Sequence, residues 1–242
     1  MKTLVIDAGH GGHDSGAVGP TGLKEKTIAL NVAQAVARNL KPFIDSGKLD
    51  VRMTRNSDVF VTLSGRAQMA NDLGADAFIS IHCNAAGGHG HEVFTSPGQT
   101  LGDKLATKCF SRYSEAFPDL PKRTDFGDGD PDKEARFTVL TKTRAPSCLY
   151  ELEFIDTIKG ENFLNSPVNQ EKAAEALARG CREFLGLSVQ PTPQLPNAAY
   201  DVLALKELED QLDTLNEELK GSIEALQHVL ATAKRVLEDA GS

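Results

Sequence analysis

Apolar positions over the first three-quarters of the chain follow two periods in turn, and that alternation predicts strands separated by helices. Leu4-Val5-Ile6 is a short continuous apolar run, the mark of a buried strand, and it ends at the turn Asp7-Ala8-Gly9-His10-Gly11-Gly12. From Glu25 to about Leu40, Ile28, Val32, Val36 and Leu40 share one helical face with Ala29 and Ala33, and Pro42 limits further extension. Asp50 to Thr54 predicts a short strand, and Leu63 to Leu73 a second helix stopped at Gly74. Ala77-Phe78-Ile79-Ser80-Ile81 and Glu92-Val93-Phe94 read as further strands. Leu101 to Phe117 reads as a helix, then Arg136 to Leu140 and Cys148 to Ile155 as strands. A closing helix runs from about Val168 to Leu185, with Ala174, Leu177, Ala178, Cys181, Phe184 and Leu185 on a common stripe. Asp119–Asp132, rich in Pro, Gly and Asp, is predicted as a surface loop. Strands separated by helices give an α/β fold, a mainly parallel twisted sheet with helices on both faces.

The texture changes after Gly186. Gln190-Pro191-Thr192-Pro193-Gln194-Leu195-Pro196 favours extended backbone, so residues 188–200 are predicted as a Pro-rich linker between a domain of residues 1–187 and a segment of residues 201–242. In that segment apolar residues fall at 205, 208, 212, 215, 219, 223, 226, 230, 233 and 237. The steps make a heptad seam with one stutter near Gly221. The pattern predicts a C-terminal α-helical coiled coil that self-associates through residues 201–240. A helical hairpin turning at Lys220-Gly221-Ser222, or an amphipathic helix packed on its own domain, fits the same positions.

Charge sharpens this division. The chain has 242 residues and a net charge of -8, and residues 201–242 hold ten acids against four bases. The rest is close to neutral. Neither part has the basic balance that phosphate-backbone binding needs, which argues against nucleic acid as a partner. The tail also lacks Trp, Phe and Tyr, so it has no ring with which to stack on a sugar. No apolar run reaches the ~18–20 residues of a transmembrane segment. The start, Met1-Lys2 followed at once by a strand-like segment, lacks a signal-peptide core. The expectation is a chain that is cytoplasmic on synthesis. Cys83, Cys109, Cys148 and Cys181 are widely spaced with no C-x-x-C, which predicts reduced, buried thiols.

The chemistry concentrates at strand ends, where α/β sheets place their sites. His10 and His82 each follow an apolar strand, His10 within glycines that allow close backbone approach. Imidazoles so placed suit a zinc ion, although a histidine after a strand also serves simply as a hydrogen-bonded structural residue. The turn completes neither a phosphate-binding G-x-x-x-x-G-K-[ST] nor G-x-G-x-x-G. Glu25, where loop enters helix, is a candidate third ligand, and the helix dipole alone also accounts for an acid there. Glu151 and Glu153 lie inside an apolar strand, a costly place for carboxylates without partners or function. Strand alternation puts both on one face, so periodicity leaves open which of them acts.

Four ordered segments then carry a family resemblance: Asp7-Ala8-Gly9-His10-Gly11-Gly12, Gly22-Leu23-Lys24-Glu25-Lys26, Ser80-Ile81-His82-Cys83-Asn84-Ala85 and Pro146 to Ile155. Asp14-Ser15-Gly16-Ala17, Thr54-Arg55, Arg66 and Ala70-Asn71 support it. Over about residues 1–187 the chain resembles the zinc-dependent N-acetylmuramoyl-L-alanine amidases of the bacterial and phage type-3 amidase family. The resemblance implies Zn2+ as cofactor, with His10, Glu25 and His82 as metal ligands and Glu151 as the catalytic carboxylate. It implies peptidoglycan as substrate, cut between N-acetylmuramic acid and L-alanine, by a phage-type lysin that acts on the wall after release.

Departures from the family pattern are also informative. Glu153 stands where the family usually has Gly, adding charge beside the implied base. His91 stands where a small hydroxyl residue is common, and His13, His89 and His91, in glycine-rich turns, are expected at the surface. The stretch from Phe94 to Arg136 is too short for the inhibitory helix of some cell-division amidases, which predicts an open site. Two other readings compete: a non-catalytic wall-binding or assembly protein on an amidase scaffold, and a zinc peptidase or deacetylase acting on another substrate.

Overall fold

The first apolar run forms β1 (Lys2–Ala8), which lies inside a six-stranded sheet. The computed structural model describes residues 1–187 together with Lys220 and Ile223, both helical. The expected linker and the seam of residues 201–240 otherwise lie outside the described residues. After β1 come α1 (Glu25–Asn39), α2 (Lys41–Asp45), β2 (Leu49–Met53), α3 (Leu63–Asp72), β3 (Ala77–Asn84), β4 (Glu92–Thr95) and α4 (Leu101–Ala116). The described part closes with β5 (Lys133–Glu134), α5 (Thr138–Thr141), β6 (Ser147–Phe154), α6 (Ile158–Asn165) and α7 (Pro167–Phe184). The strand order is β2-β1-β3-β6-β4-β5. β2, β1, β3 and β6 are parallel, and β4 runs antiparallel to β6. The fold is the expected α/β architecture, a mostly parallel sheet with helices on both faces.

Strand alternation divides the sheet into two cores. Leu4, Ile6 and Ala8 of β1, Ile79 and Ile81 of β3, and Tyr150 and Leu152 of β6 pack with α1, α4 and α7. The intervening residues Val5, Phe78 and Leu149 form a smaller core with Ala70 of α3 and with Val139 and Leu140 of α5. Further along this second face the pairs Asp7↔Ser80 and His82↔Glu151 replace the apolar ones. A parallel strand buried on both faces should be apolar throughout. Polar residues at the carboxyl ends of three adjacent strands therefore locate a site from the sheet register alone.

Several expectations are corrected. Arg136–Leu140 is not a strand: β5 ends at Glu134, and Thr138–Thr141 is a helical turn. In a strand Val139 and Leu140 would point to opposite faces, whereas the turn buries both in the smaller core. α1 does end before Pro42, at Asn39, but a short second helix not foreseen, α2, follows with Pro42 in its first turn, where the missing N–H costs nothing. α6, unanticipated, starts at Thr157, whose hydroxyl accepts from Gly160 N. The 119–132 loop buries Leu120 and Asp132. His91 is fully buried, its ring among Phe110 and Tyr113 and its Nδ1 2.8 Å from Tyr150 Oη. Burial, with Lys122 nearby, lowers its pKa to about 4. His13 is exposed and His89 partly so. All four cysteines are free and buried, as their spacing predicts. Among the described residues no helix is long and apolar enough to cross a membrane.

Candidate metal centre

The turn after β1 is held from below by two arginines. Buried Arg66 pairs with Asp7 (Nη1–Oδ1, 2.7 Å) and donates to the carbonyls of Ala8, His10 and Val61. Arg55 donates to the carbonyls of Ala8, Gly9, Lys26 and Ser57. Asp7 also accepts from Thr54 Oγ1 at 2.5 Å and Ser80 Oγ at 2.6 Å. Every oxygen of this buried carboxylate is satisfied, as a charge away from water requires. His10 itself has φ 60, a left-handed conformation rare for a non-glycine residue. Such strain clusters at functional sites, where the surroundings over-determine it. Glycine is required beside it: a Cβ on Gly9 would stand 2.4 Å from the His82 ring.

His10, Glu25 and His82 meet above this floor. Glu25 Oε1 lies 3.0 Å from His10 Nε2 and 3.0 Å from His82 Nδ1, and the two ring nitrogens are 3.2 Å apart. Two of the donors are fixed from outside. His10 Nδ1 faces Asp14 Oδ2 at 3.0 Å, which directs the Nε2 lone pair inward. Glu25 opens α1, its Oε2 accepting from Ala17 N and its Oε1 from Cys83 N, each at 2.9 Å. The loop carrying Ala17 is pinned by Glu161 of α6, which accepts from Thr21 and Leu23. Burial favours the neutral form, yet the two imidazoles set against Glu25 hold its pKa far below the carboxylate range. Burial likewise opposes charge on His82, but the Glu25 carboxylate against it raises its pKa to about 9.

These donors fit a zinc ion. Ligands about 2.0–2.1 Å from a tetrahedral zinc stand about 3.3 Å from one another, close to the spacings found. Two imidazoles and a carboxylate match a catalytic set, which leaves one position open. The open side is a cavity of about 450 Å³, which Glu151, Asp14, Asn84, Leu63, Arg136 and Phe137 also line. Its volume lies in the range of small-molecule sites. Among the described residues no other cluster of three such ligands occurs.

Glu151 reaches this cavity from β6, opposite His82 in register. Its Oε2 is buried and has no hydrogen-bond partner. Burial first, then the charges of Glu25 and Glu92 acting against the pull of His82, raise its pKa to about 7. Glu153 does not share its surroundings. Between His82 and Asn84 the pairing shifts, β6 carrying one extra residue, and this bulge breaks the alternation expected of Glu151 and Glu153. Glu153 is fully buried outside the cavity lining, its carboxylate taken by His89 Nδ1 at 3.0 Å and Gly90 N at 2.8 Å.

Sequence reading brought forward His10, Glu25, His82 and Glu151, and the fold gathers all four. It missed the work of Asp14 and Glu161, and the presence of Arg136 and Phe137 in the cavity wall. An acid four residues after a histidine, within one glycine-rich turn, was the available signal for Asp14.

Comparison with known proteins gives one consistent picture. The family profile described as N-acetylmuramoyl-L-alanine amidase (Amidase_3) matches residues 4–183. The chain is 34% identical over 221 residues to the sporulation-specific N-acetylmuramoyl-L-alanine amidase of Bacillus subtilis (strain 168), covering 91% of this chain and 82% of that protein. It is 36% identical over 197 residues to the endolysin of Bacillus phage SPP1, covering 77% and 67%. Among solved structures, the amidase AmiC2 of Nostoc punctiforme superposes with a TM-score of 0.67 at 33% identity. That match covers 76% of this chain and 97% of that one. The catalytic domain of the amidase CwlV from Bacillus (Paenibacillus) polymyxa var. colistinus gives 0.67 at 30% identity, covering 78% and 100%.

Proposed function

This chain belongs to the N-acetylmuramoyl-L-alanine amidase family and is a peptidoglycan amidase, and from that premise we propose how its own residues perform the cleavage. The bond cut is the amide between the lactyl group of N-acetylmuramic acid and the L-alanine of the stem peptide. His10, Glu25 and His82 hold zinc. When bound, zinc supplies Lewis-acid chemistry, polarising a carbonyl oxygen and acidifying water. Glu151 takes the proton from the attacking water and delivers it to the departing amine, as general base and then acid. A carboxylate with pKa about 7 is suited to both tasks near neutrality. Asp14 keeps the His10 tautomer, and the Arg55 and Arg66 bonds keep its backbone in place.

The single observation that supports this most is the convergence of three donors beside an unpartnered, buried Glu151 oxygen in one cavity. A wall-binding scaffold without catalysis would have no use for that carboxylate. Likeness to the SPP1 endolysin supports a lysin role on the cell wall. We propose residues 1–187 as the catalytic domain. Mass analysis of digested wall material is the test: peptide beginning with free L-alanine, together with glycan bearing a free lactyl group, is the expected result. Release of shorter peptides or of acetate instead would transfer the chain to the peptidase or deacetylase reading.

A further inference from the structure

The cavity wall away from the three donors contains a cation with nothing to bind. Arg136 lines the cavity between β5 and α5, exposed, with no hydrogen bond, ion pair or ring partner among the described residues. Every other arginine of the described residues has one. Arg38, Arg52, Arg112, Arg123 and Arg179 pair with acids, and Arg55, Arg66 and Arg144 donate to carbonyls. Arg182 lies over the Phe43 ring.

The backbone on either side of Arg136 is fixed. Ala135 N donates to Thr95 O at 2.9 Å, and Phe137 O accepts from Leu140 N and Thr141 N. The Phe137 ring packs on Phe94, centroids 5.2 Å apart. A held backbone fixes where the side chain starts, so only the rotamers of Arg136 itself have to be ordered when a ligand arrives. Beside it, Phe137 and Leu63 remain 39% and 56% exposed and give the same wall an apolar surface. Arg66, which also lines the cavity, is committed to Asp7. Among the described residues Arg136 is therefore the free cation of the wall, whereas Asp14, Glu25 and Glu151 crowd the donor end with carboxylates.

A stem peptide carries carboxylates, and a guanidinium fork recognises a carboxylate through two parallel charged hydrogen bonds. We propose that Arg136 is a specificity-determining residue that binds a free carboxylate on the peptide side of the scissile amide, on the residue following L-alanine. The peptide then runs along Phe137 and Leu63, with the sugar directed to the other end. A wall in which that carboxylate is capped as a carboxamide is the poorer substrate.

This inference rests on the amidase activity proposed above, and the test separates the two. The measurement is kcat and KM of the parent, Arg136→Ala and Arg136→Lys on two muramyl-L-alanyl dipeptides. They differ only in whether the second residue bears a free carboxylate or a carboxamide. The parent should prefer the carboxylate. Arg136→Ala should lose roughly tenfold in kcat/KM on it, mainly through KM, and change less than about twofold on the carboxamide. Arg136→Lys should recover part of the loss. Equal losses on both substrates, or none on either, would overturn the assignment of Arg136. A parent that cuts neither dipeptide at the lactyl–alanine bond would overturn the activity, and this inference with it.

Discussion

Glu151 and Glu153 stand two residues apart on one strand and live under opposite conditions. Glu151 faces the cavity with one buried oxygen unpaired, and its pKa rises to about 7. Glu153 is completely buried and fully engaged by His89 and Gly90. The first pattern leaves a carboxylate free to exchange a proton, and the second fixes a loop to the sheet. Burial alone therefore does not make a carboxylate reactive; burial without partners does.

The sharpest way to break this contrast is to remove what Glu151 serves. His82→Ala is expected to abolish both zinc binding and wall hydrolysis, measured by metal analysis and product mass; full activity without the metal would end the assignment. Next in size, Glu151→Gln should retain zinc while kcat falls about 10²–10⁴-fold. The pH profile follows from the same group. Its folded pKa, about 7, lies above the ordinary glutamate value of 4.5, so the folded state binds more protons in between. In metal-free protein the stability from this group is complete below about 4.5 and declines as pH rises to about 7, and Glu151→Gln should flatten that decline. Activity should rise with pH as Glu151 ionises, because the base must be ionised, and a cation bound beside it draws that rise below the metal-free value. The smallest effect on turnover is expected for Glu153→Gln, within about threefold of the parent. Its cost should appear in thermal or denaturant unfolding, about 1–3 kcal/mol from the weakened His89 and Gly90 bonds. Loss of turnover with unchanged stability in Glu153→Gln would reverse the roles of the two glutamates.

The sequence made some of this legible and hid the rest for identifiable reasons. β1, α1, β3 and α7 follow from periodicity, because each buries a continuous stripe against a neighbour that never changes side. His10, Glu25 and His82 were accessible because a glycine-rich turn, a helix start and a strand end are local signals. The separation of Glu151 from Glu153 was not, since it depends on a bulge created by pairing with β3. The antiparallel entry of β4 beside β6 is likewise a tertiary choice that Glu92-Val93-Phe94 does not announce. Residues 136–140 misled because Phe137, Thr138 and Val139 carry β propensity, while Val139 and Leu140 are both buried in the same small core. His91 misled because a glycine-rich stretch precedes it, although an aromatic cluster from α4 and β6 closes over the ring.

The polar tier of Asp7, Ser80, Thr54 and Arg66 has a meaning for how this molecule tolerates change. It lies between Val5, Phe78 and Leu149 on one side and His82 and Glu151 on the other. Its side-chain hydrogen bonds are made within the tier, to the β1 turn and to Val61 O. Val5 and Phe78 share neither a hydrogen-bond partner nor the cavity lining with the ligands, so substitutions there should combine almost independently with those at the centre. Leu149 and Val139, in contrast, line the cavity and should couple to it. The tier works as insulation: a lineage, or a laboratory selection, can harden the body of this enzyme without retuning the centre it carries.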